Sequence, residues 1–126
     1  MRIMVVDDED FIRSLLEEVL RTLGHEVVVF GESQVAIGAF QAANEKGLRF
    51  DVVILDLRLV GGMNGVTLLH ELRKFDPGVK ALAISGRAEE EATVPLGFHG
   101  FLSKPFRIKA LAEALAAVTR NSASPA

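Results

Sequence analysis

The sequence predicts an α/β fold, a single parallel sheet with helices packed against both of its faces. Short apolar runs alternate with longer stretches whose apolar residues recur at helical spacing, the order that parallel βαβ units produce. The runs are continuous, as in Val52-Val53-Ile54-Leu55, and strands covered on both faces read that way rather than alternating apolar with polar. The chain has 126 residues, 49% hydrophobic and 25% charged, which suits one domain with a sizeable core.

Arg2 to Val6 reads as the first strand, so the fold starts almost at the first residue. From Asp10 to Leu23 a helix is predicted, because Phe11, Leu15, Leu16, Val19, Leu20 and Leu23 recur at its spacing. Gly24 follows, where a left-handed C-cap is expected. Glu26 to Phe30 is a β-branched second strand. Ser33 is placed to cap a second helix through about Ala43, with Ala36, Ala39, Phe40 and Ala43 facing inward. The third strand is Val52 to Asp56, and the third helix runs from about Gly65 to Phe75, burying Val66, Leu69 and Leu72 before Asp76-Pro77-Gly78 stops it. Lys80 to Ser85 and Gly100 to Leu102 are the last two strands. Between them, Pro95 should end any helix at about Val94, so the fourth helix is expected to be short or irregular. The last helix, about Arg107 to Thr119, carries Ile108, Leu111, Leu115 and Val118 on one face. Five such units point, by analogy, to the flavodoxin-like strand order 2-1-3-4-5, which binds ligands outside the carboxyl ends of its strands. Residues 1–120 form the expected domain; 121–126, small and polar, form a flexible tail or linker stub.

Composition narrows the function classes. The chain has no cysteine, which removes disulfides and thiolate chemistry and is compatible with a reducing cytosol. The net charge of −3 gives no footprint for nucleic acid. No apolar run approaches the ~20 residues that span a bilayer, and no signal peptide precedes the first strand, so a cytoplasmic location is expected. His25, His70 and His99 are scattered, without a metal-binding spacing.

The chemistry collects at the strand ends. Asp7-Asp8 ends the first apolar run, Asp56 the third, Ser85-Gly86 the fourth, and Lys104-Pro105 follows the fifth. In a parallel sheet all of these reach one edge. Taken singly, each has an ordinary reading: a helix cap for the acidic pair, a turn for Ser-Gly, a solvated lysine before a helix-starting proline. All four would have to be ordinary together. Three carboxylates converging there repel one another by about 4 kcal/mol per pair at 4 Å and a near-surface dielectric. A hard divalent cation such as Mg²⁺ relieves that repulsion. With a lysine and a hydroxyl beside it, Asp56 becomes a nucleophile for phosphoryl transfer.

At these residues the chain resembles the receiver domain of two-component response regulators, over Arg2 to about Thr119. The carriers are Val-Val-Asp-Asp-Glu at 5–9, Val-Ile-Leu-Asp at 53–56, Gly-Met-Asn-Gly at 62–65, Ile-Ser-Gly at 84–86 and Phe-Leu-Ser-Lys-Pro-Phe at 101–106. The resemblance implies that Asp56 accepts a phosphoryl group from a phosphohistidine on a histidine kinase or phosphotransfer protein. It implies Mg²⁺ (or Mn²⁺) on Asp8, Asp56 and the Arg58 backbone carbonyl, with Asp7 acting through water. Ser85 and Lys104 would bind phosphoryl oxygens, Phe101 would be the switch aromatic, and Lys104-Pro105 would be cis. The domain would be a phosphoacceptor rather than an enzyme with its own substrate, acting on a downstream protein or output domain, with no direct nucleic-acid or membrane binding. A hybrid histidine kinase is one parent it would fit.

The sequence departs from the family pattern in four places. Val60 stands where proline is usual, in a loop one residue longer that carries Gly61-Gly62. Arg58 and Arg87 flank the site as modulating residues, Ser85 replaces the commoner threonine, and the segment between Ser85 and Lys104 is short. Two other functions suit part of the pattern. One is a degenerate receiver that binds partners without phosphorylation. The other is a Mg²⁺-dependent phosphohydrolase with an aspartyl nucleophile, which would need two aspartates one residue apart where the first strand here ends Asp7-Asp8-Glu9, and a cap for which the chain offers no spare segment.

Overall fold

The structure, a computed structural model, describes residues 1–59, 63–86 and 97–120. In chain order the elements are β1 (Arg2–Val6), α1 (Asp10–Thr22), β2 (Glu26–Phe30), α2 (Ser33–Glu45), β3 (Val52–Asp56), α3 (Gly65–Leu72), β4 (Lys80–Ser85), β5 (Gly100–Ser103) and α4 (Ile108–Arg120). The strands form one sheet in the order β2-β1-β3-β4-β5, every neighbouring pair parallel. This is the flavodoxin-like order read from the sequence. The expected short helix after Ser85, Arg87, the Gly61-Gly62 pair and the tail lie outside the described residues.

Two cores explain the layers. On one face Ile3, Val5, Val52, Ile54, Leu82, Ile84 and Leu102 pack against Leu16 and Leu20 of α1 and Leu111 and Leu115 of α4. On the other, Met4, Val6, Val53, Leu55, Ala81 and Ala83 pack against Phe40 of α2 and Leu68, Leu69 and Leu72 of α3. Alternate residues of each strand thus serve opposite cores, as the two-residue period of a strand demands. Because both faces are covered, β1, β3 and β4 are apolar except at their end residues Arg2, Asp56, Lys80 and Ser85.

The helix faces differ in detail from the sequence reading. In α1 the buried set is Ile12, Leu16, Val19 and Leu20, while Phe11 is 74% exposed; positions 12, 16, 19 and 20 make a tighter stripe than one beginning at Phe11. Val66 of α3 is exposed and Leu68 takes its place in the core. Ile108 is exposed at the first turn of α4. Ser33 does not cap α2: the N-cap is Glu32, with no side-chain cap bond, and Ser33 is already helical. Gly24 has φ +96 after α1, the left-handed geometry expected there.

Asn64 caps α3, its Oδ1 accepting from the Thr67 amide at 2.8 Å. Asn64→Ala should cost about 1 kcal/mol, read as a lower urea midpoint with an unchanged slope. Gly65 follows the cap directly. A Cβ there would sit 2.5 Å from the Asp56 carbonyl oxygen and 3.0 Å from Leu57 Cα, so the helix starts flush against the end of β3. That close approach requires glycine and accounts for the Asn-Gly in the motif at 62–65.

Candidate phosphoryl-transfer site

The site sits where the sheet order reverses, at the carboxyl ends of β1 and β3. Counting in steps of two explains who meets there. Ile3 and Val5, Val52 and Ile54, and Leu102 all serve the α1–α4 core, and the next step along each path is Asp7, Asp56 and Lys104. The same period that buries the core residues brings these three to one side of the sheet. Ser85 falls out of that set. It continues Ala81 and Ala83 into the other core, against which Phe101 is also packed, half-buried.

The two buried aspartates are held alike. Asp7 Oδ1 accepts from the Glu9 amide at 2.8 Å, and Asp56 Oδ1 accepts from the Arg58 amide at 2.9 Å. In each case the carboxylate bonds the backbone two residues on, the local turn that aspartate favours. The second oxygen of each faces Lys104 Nζ, at 2.8 Å for Asp7 and 3.0 Å for Asp56. A further carboxylate, Glu9, meets the same ammonium at 2.7 Å. Arg13 of α1 anchors the end of β1 by donating to the Asp7 carbonyl at 2.7 Å, and pairs with Asp10. Lys104 is fixed in turn, its amide donating to the Ser85 carbonyl at 2.8 Å and its peptide bond to Pro105 being cis.

The electrostatics follow from burial. Burial is the chief force on Asp7 and pushes its carboxyl up to about 6; the Asp56 charge adds to this, while Lys104 and the Glu9 amide oppose it. Burial disfavours the Lys104 ammonium, but its close pairing with Asp7, Glu9 and Asp56 outweighs that and holds it above the ordinary lysine value. One cation therefore serves three anions. Asp7 Oδ2 lies within ion-pair distance of Lys104 yet out of line for a hydrogen bond, and among the described residues it is buried without a donor. Oxygens of Asp7, Asp8 and Asp56 all lie within 4.8 Å of one another. A buried, donorless carboxylate oxygen among all-oxygen ligands fits a hard divalent cation such as Mg²⁺.

Apart from Phe101, which lies within β5 opposite Ala83, the described residues assigned from the sequence stand at this end of the sheet. Asp7, Asp56 and Lys104 are brought into contact; Asp8, half-buried, completes the acidic trio; Ser85 ends β4, fully buried; and Arg58 follows Asp56, exposed. The sequence reading gave no role to Glu9 or Arg13. Glu9 was visible in the Asp-Asp-Glu motif, but its reach to Lys104 spans 95 positions and leaves no local signal. His99 has a local backbone partner instead, its Nδ1 accepting from the Ala81 amide at 3.2 Å. Among the described residues, no helix is long and apolar enough to cross a membrane.

Known proteins resemble this chain in sequence and fold. The family model for the response regulator receiver domain matches residues 3–116. The chemotaxis protein CheY of Thermotoga maritima is 28% identical over 122 residues, covering 94% of this chain and 98% of that protein. The sensor kinase CckA of Brucella abortus is 35% identical over 113 residues, 87% of this chain but 12% of the kinase. The solved receiver domain of the hybrid histidine kinase CckA superposes with a TM-score of 0.76 at 31% identity, covering 92% of this chain and 96% of that domain. The chain thus spans nearly all of one relative and a small part of another.

Proposed function

This chain belongs to the response regulator receiver domain family of two-component signalling, and on that footing we propose that Asp56 is its phosphoacceptor. The observation that carries the reading is the posture of Asp56. Its carboxylate is buried and held by the Arg58 amide on one oxygen and Lys104 on the other, next to two more aspartates. A carboxylate oxygen of Asp56 attacks the phosphorus of a phosphohistidine on a partner kinase or phosphotransfer protein. The P–N bond breaks, its electron pair returns to the imidazole, and an acyl phosphate forms.

A divalent cation, Mg²⁺ or Mn²⁺, held by Asp8, Asp56 and the Arg58 carbonyl, with Asp7 through water, would neutralise charge on the phosphoryl oxygens. The protein does the rest. Arg13 and the Glu9 amide keep Asp7 in place, and the Arg58 amide orients Asp56. Lys104 then follows the new charge, because the phosphoryl group carries about −1.5 to −2 charges and three acceptor oxygens. Ser85 bonds another of those oxygens, and its backbone carries Lys104 with it. Ser85 also shares its side of the sheet with Phe101, so a shift of Ser85 frees space into which that aromatic turns. The surface of the fourth and fifth strand–helix units is then altered for a protein partner or output domain.

Incubation with Mg²⁺ and acetyl phosphate, or a phosphohistidine donor, should add one phosphoryl group to the wild type and none to Asp56→Asn, by intact mass. No gain in the wild type, or an equal gain in the variant, refutes the assignment. The first of those results would leave a phosphorylation-independent binding module as the function.

A further inference from the structure

We propose that Glu9 is a positioning residue that holds Lys104 in reserve before phosphorylation and must release it afterwards. The inference rests on Asp56 being the phosphoacceptor. An ammonium has three donors and no acceptor. In this structure Lys104 Nζ faces Glu9 Oε1 at 2.7 Å, Asp7 Oδ2 at 2.8 Å and Asp56 Oδ2 at 3.0 Å. Glu9 and Asp56 each take one donor, and Asp7 Oδ2 crowds the same ammonium without a hydrogen bond, so a phosphoryl oxygen on Asp56 competes with carboxylates already in place.

The structure distinguishes which one gives way. The Asp7 and Asp56 side chains are almost wholly buried and each is tied by a backbone amide. Moving either breaks that bond and leaves a carboxylate oxygen in a dry site. The Glu9 side chain is 58% exposed, against 11% for Lys104, and Lys104 is its partner among the described residues. A rotation about its side-chain bonds returns its carboxylate to water at little cost. Glu9 is therefore the ligand that leaves. While it stays, it draws the ammonium toward solvent and away from Asp56. That disfavours the phosphorylated state and is relieved when the glutamate is neutralised.

An exposed pair of this kind is worth at most ~1 kcal/mol. Glu9→Gln should accordingly raise the rate of phosphorylation by acetyl phosphate, at saturating Mg²⁺, roughly twofold to fivefold. In a Lys104→Met background the same substitution should change the rate by nothing measurable, since Glu9 acts through Lys104. A second readout needs neither metal nor phosphate. By ¹⁵N NMR of the lysine ammonium groups in EDTA, Lys104 protons should exchange with water severalfold faster in Glu9→Gln than in the wild type. An unchanged exchange rate overturns the proposal. So does a variant that is phosphorylated no faster than a wild type that itself accepts phosphate, or an acceleration that persists without Lys104. A wild type that takes up no phosphate defeats the phosphoacceptor reading instead, and the NMR measurement still reports the grip of Glu9 on Lys104.

Discussion

Lys104→Met is expected to cost the cation-free protein roughly 3 kcal/mol of stability at neutral pH. The substitution fills the same space with an apolar chain and removes the cation that, among the described residues, meets Asp7, Glu9 and Asp56. Two of these carboxylates are buried, so they cannot recover their hydration as an exposed pair would. Asp7 can take up a proton, and the loss should shrink as pH is lowered toward 5, because the folded state then binds a proton that the unfolded chain does not. Millimolar Mg²⁺ should restore most of the loss at pH 7.5, by supplying positive charge to the same oxygens. Urea titrations in EDTA and in Mg²⁺ measure both effects. A variant as stable as the wild type in EDTA would contradict this account, as would one that Mg²⁺ leaves unchanged.

Much of this site was legible in the sequence because the sheet has a period of two and the strands are parallel. Continuous runs at 3–6, 52–55 and 81–84 identify strands buried on both faces, and parallel pairing carries their polar ends to one edge. The facing of Asp7, Asp56 and Lys104 toward one core then follows by counting. Helix faces were less legible. Phe11, Val66 and Ile108 also fit a helical spacing, yet the buried stripes of their helices run through Ile12, Leu68 and Leu111 instead and leave them exposed. Capping was the weakest inference: Ser33 has the right chemistry, but the chain turns one residue earlier, at Glu32. Glu9 was missed for another reason. Its partner comes from β5 by way of the whole fold, and no local pattern encodes a contact across the sheet.

Asp7→Asn should have the opposite effect and stabilise the cation-free protein at neutral pH. The Asp7 carboxyl is pushed up to about 6 from its ordinary 3.8, chiefly by burial. Between those two values the folded chain holds a proton that the unfolded chain has released. The contribution of Asp7 to stability is therefore complete below pH 4 and is lost as pH rises through 6. At pH 7.5 the ionised Asp7 is a burden of up to about 3 kcal/mol. Asparagine removes the charge but keeps an acceptor for the Glu9 amide. Its NH₂ group then faces the Lys104 ammonium, which reduces the gain to about 1–2 kcal/mol. Unfolding free energies in EDTA from pH 4.5 to 8 measure this directly. The difference between variant and wild type should be smallest at the acid end and should grow through pH 6. A variant less stable than the wild type at pH 7.5, or a difference that does not change with pH, would show that burial is not the dominant force on Asp7. Mg²⁺ provides the link to function: the wild type should gain more from it than the variant does, since the charge that makes Asp7 costly without a cation is the charge that attracts one.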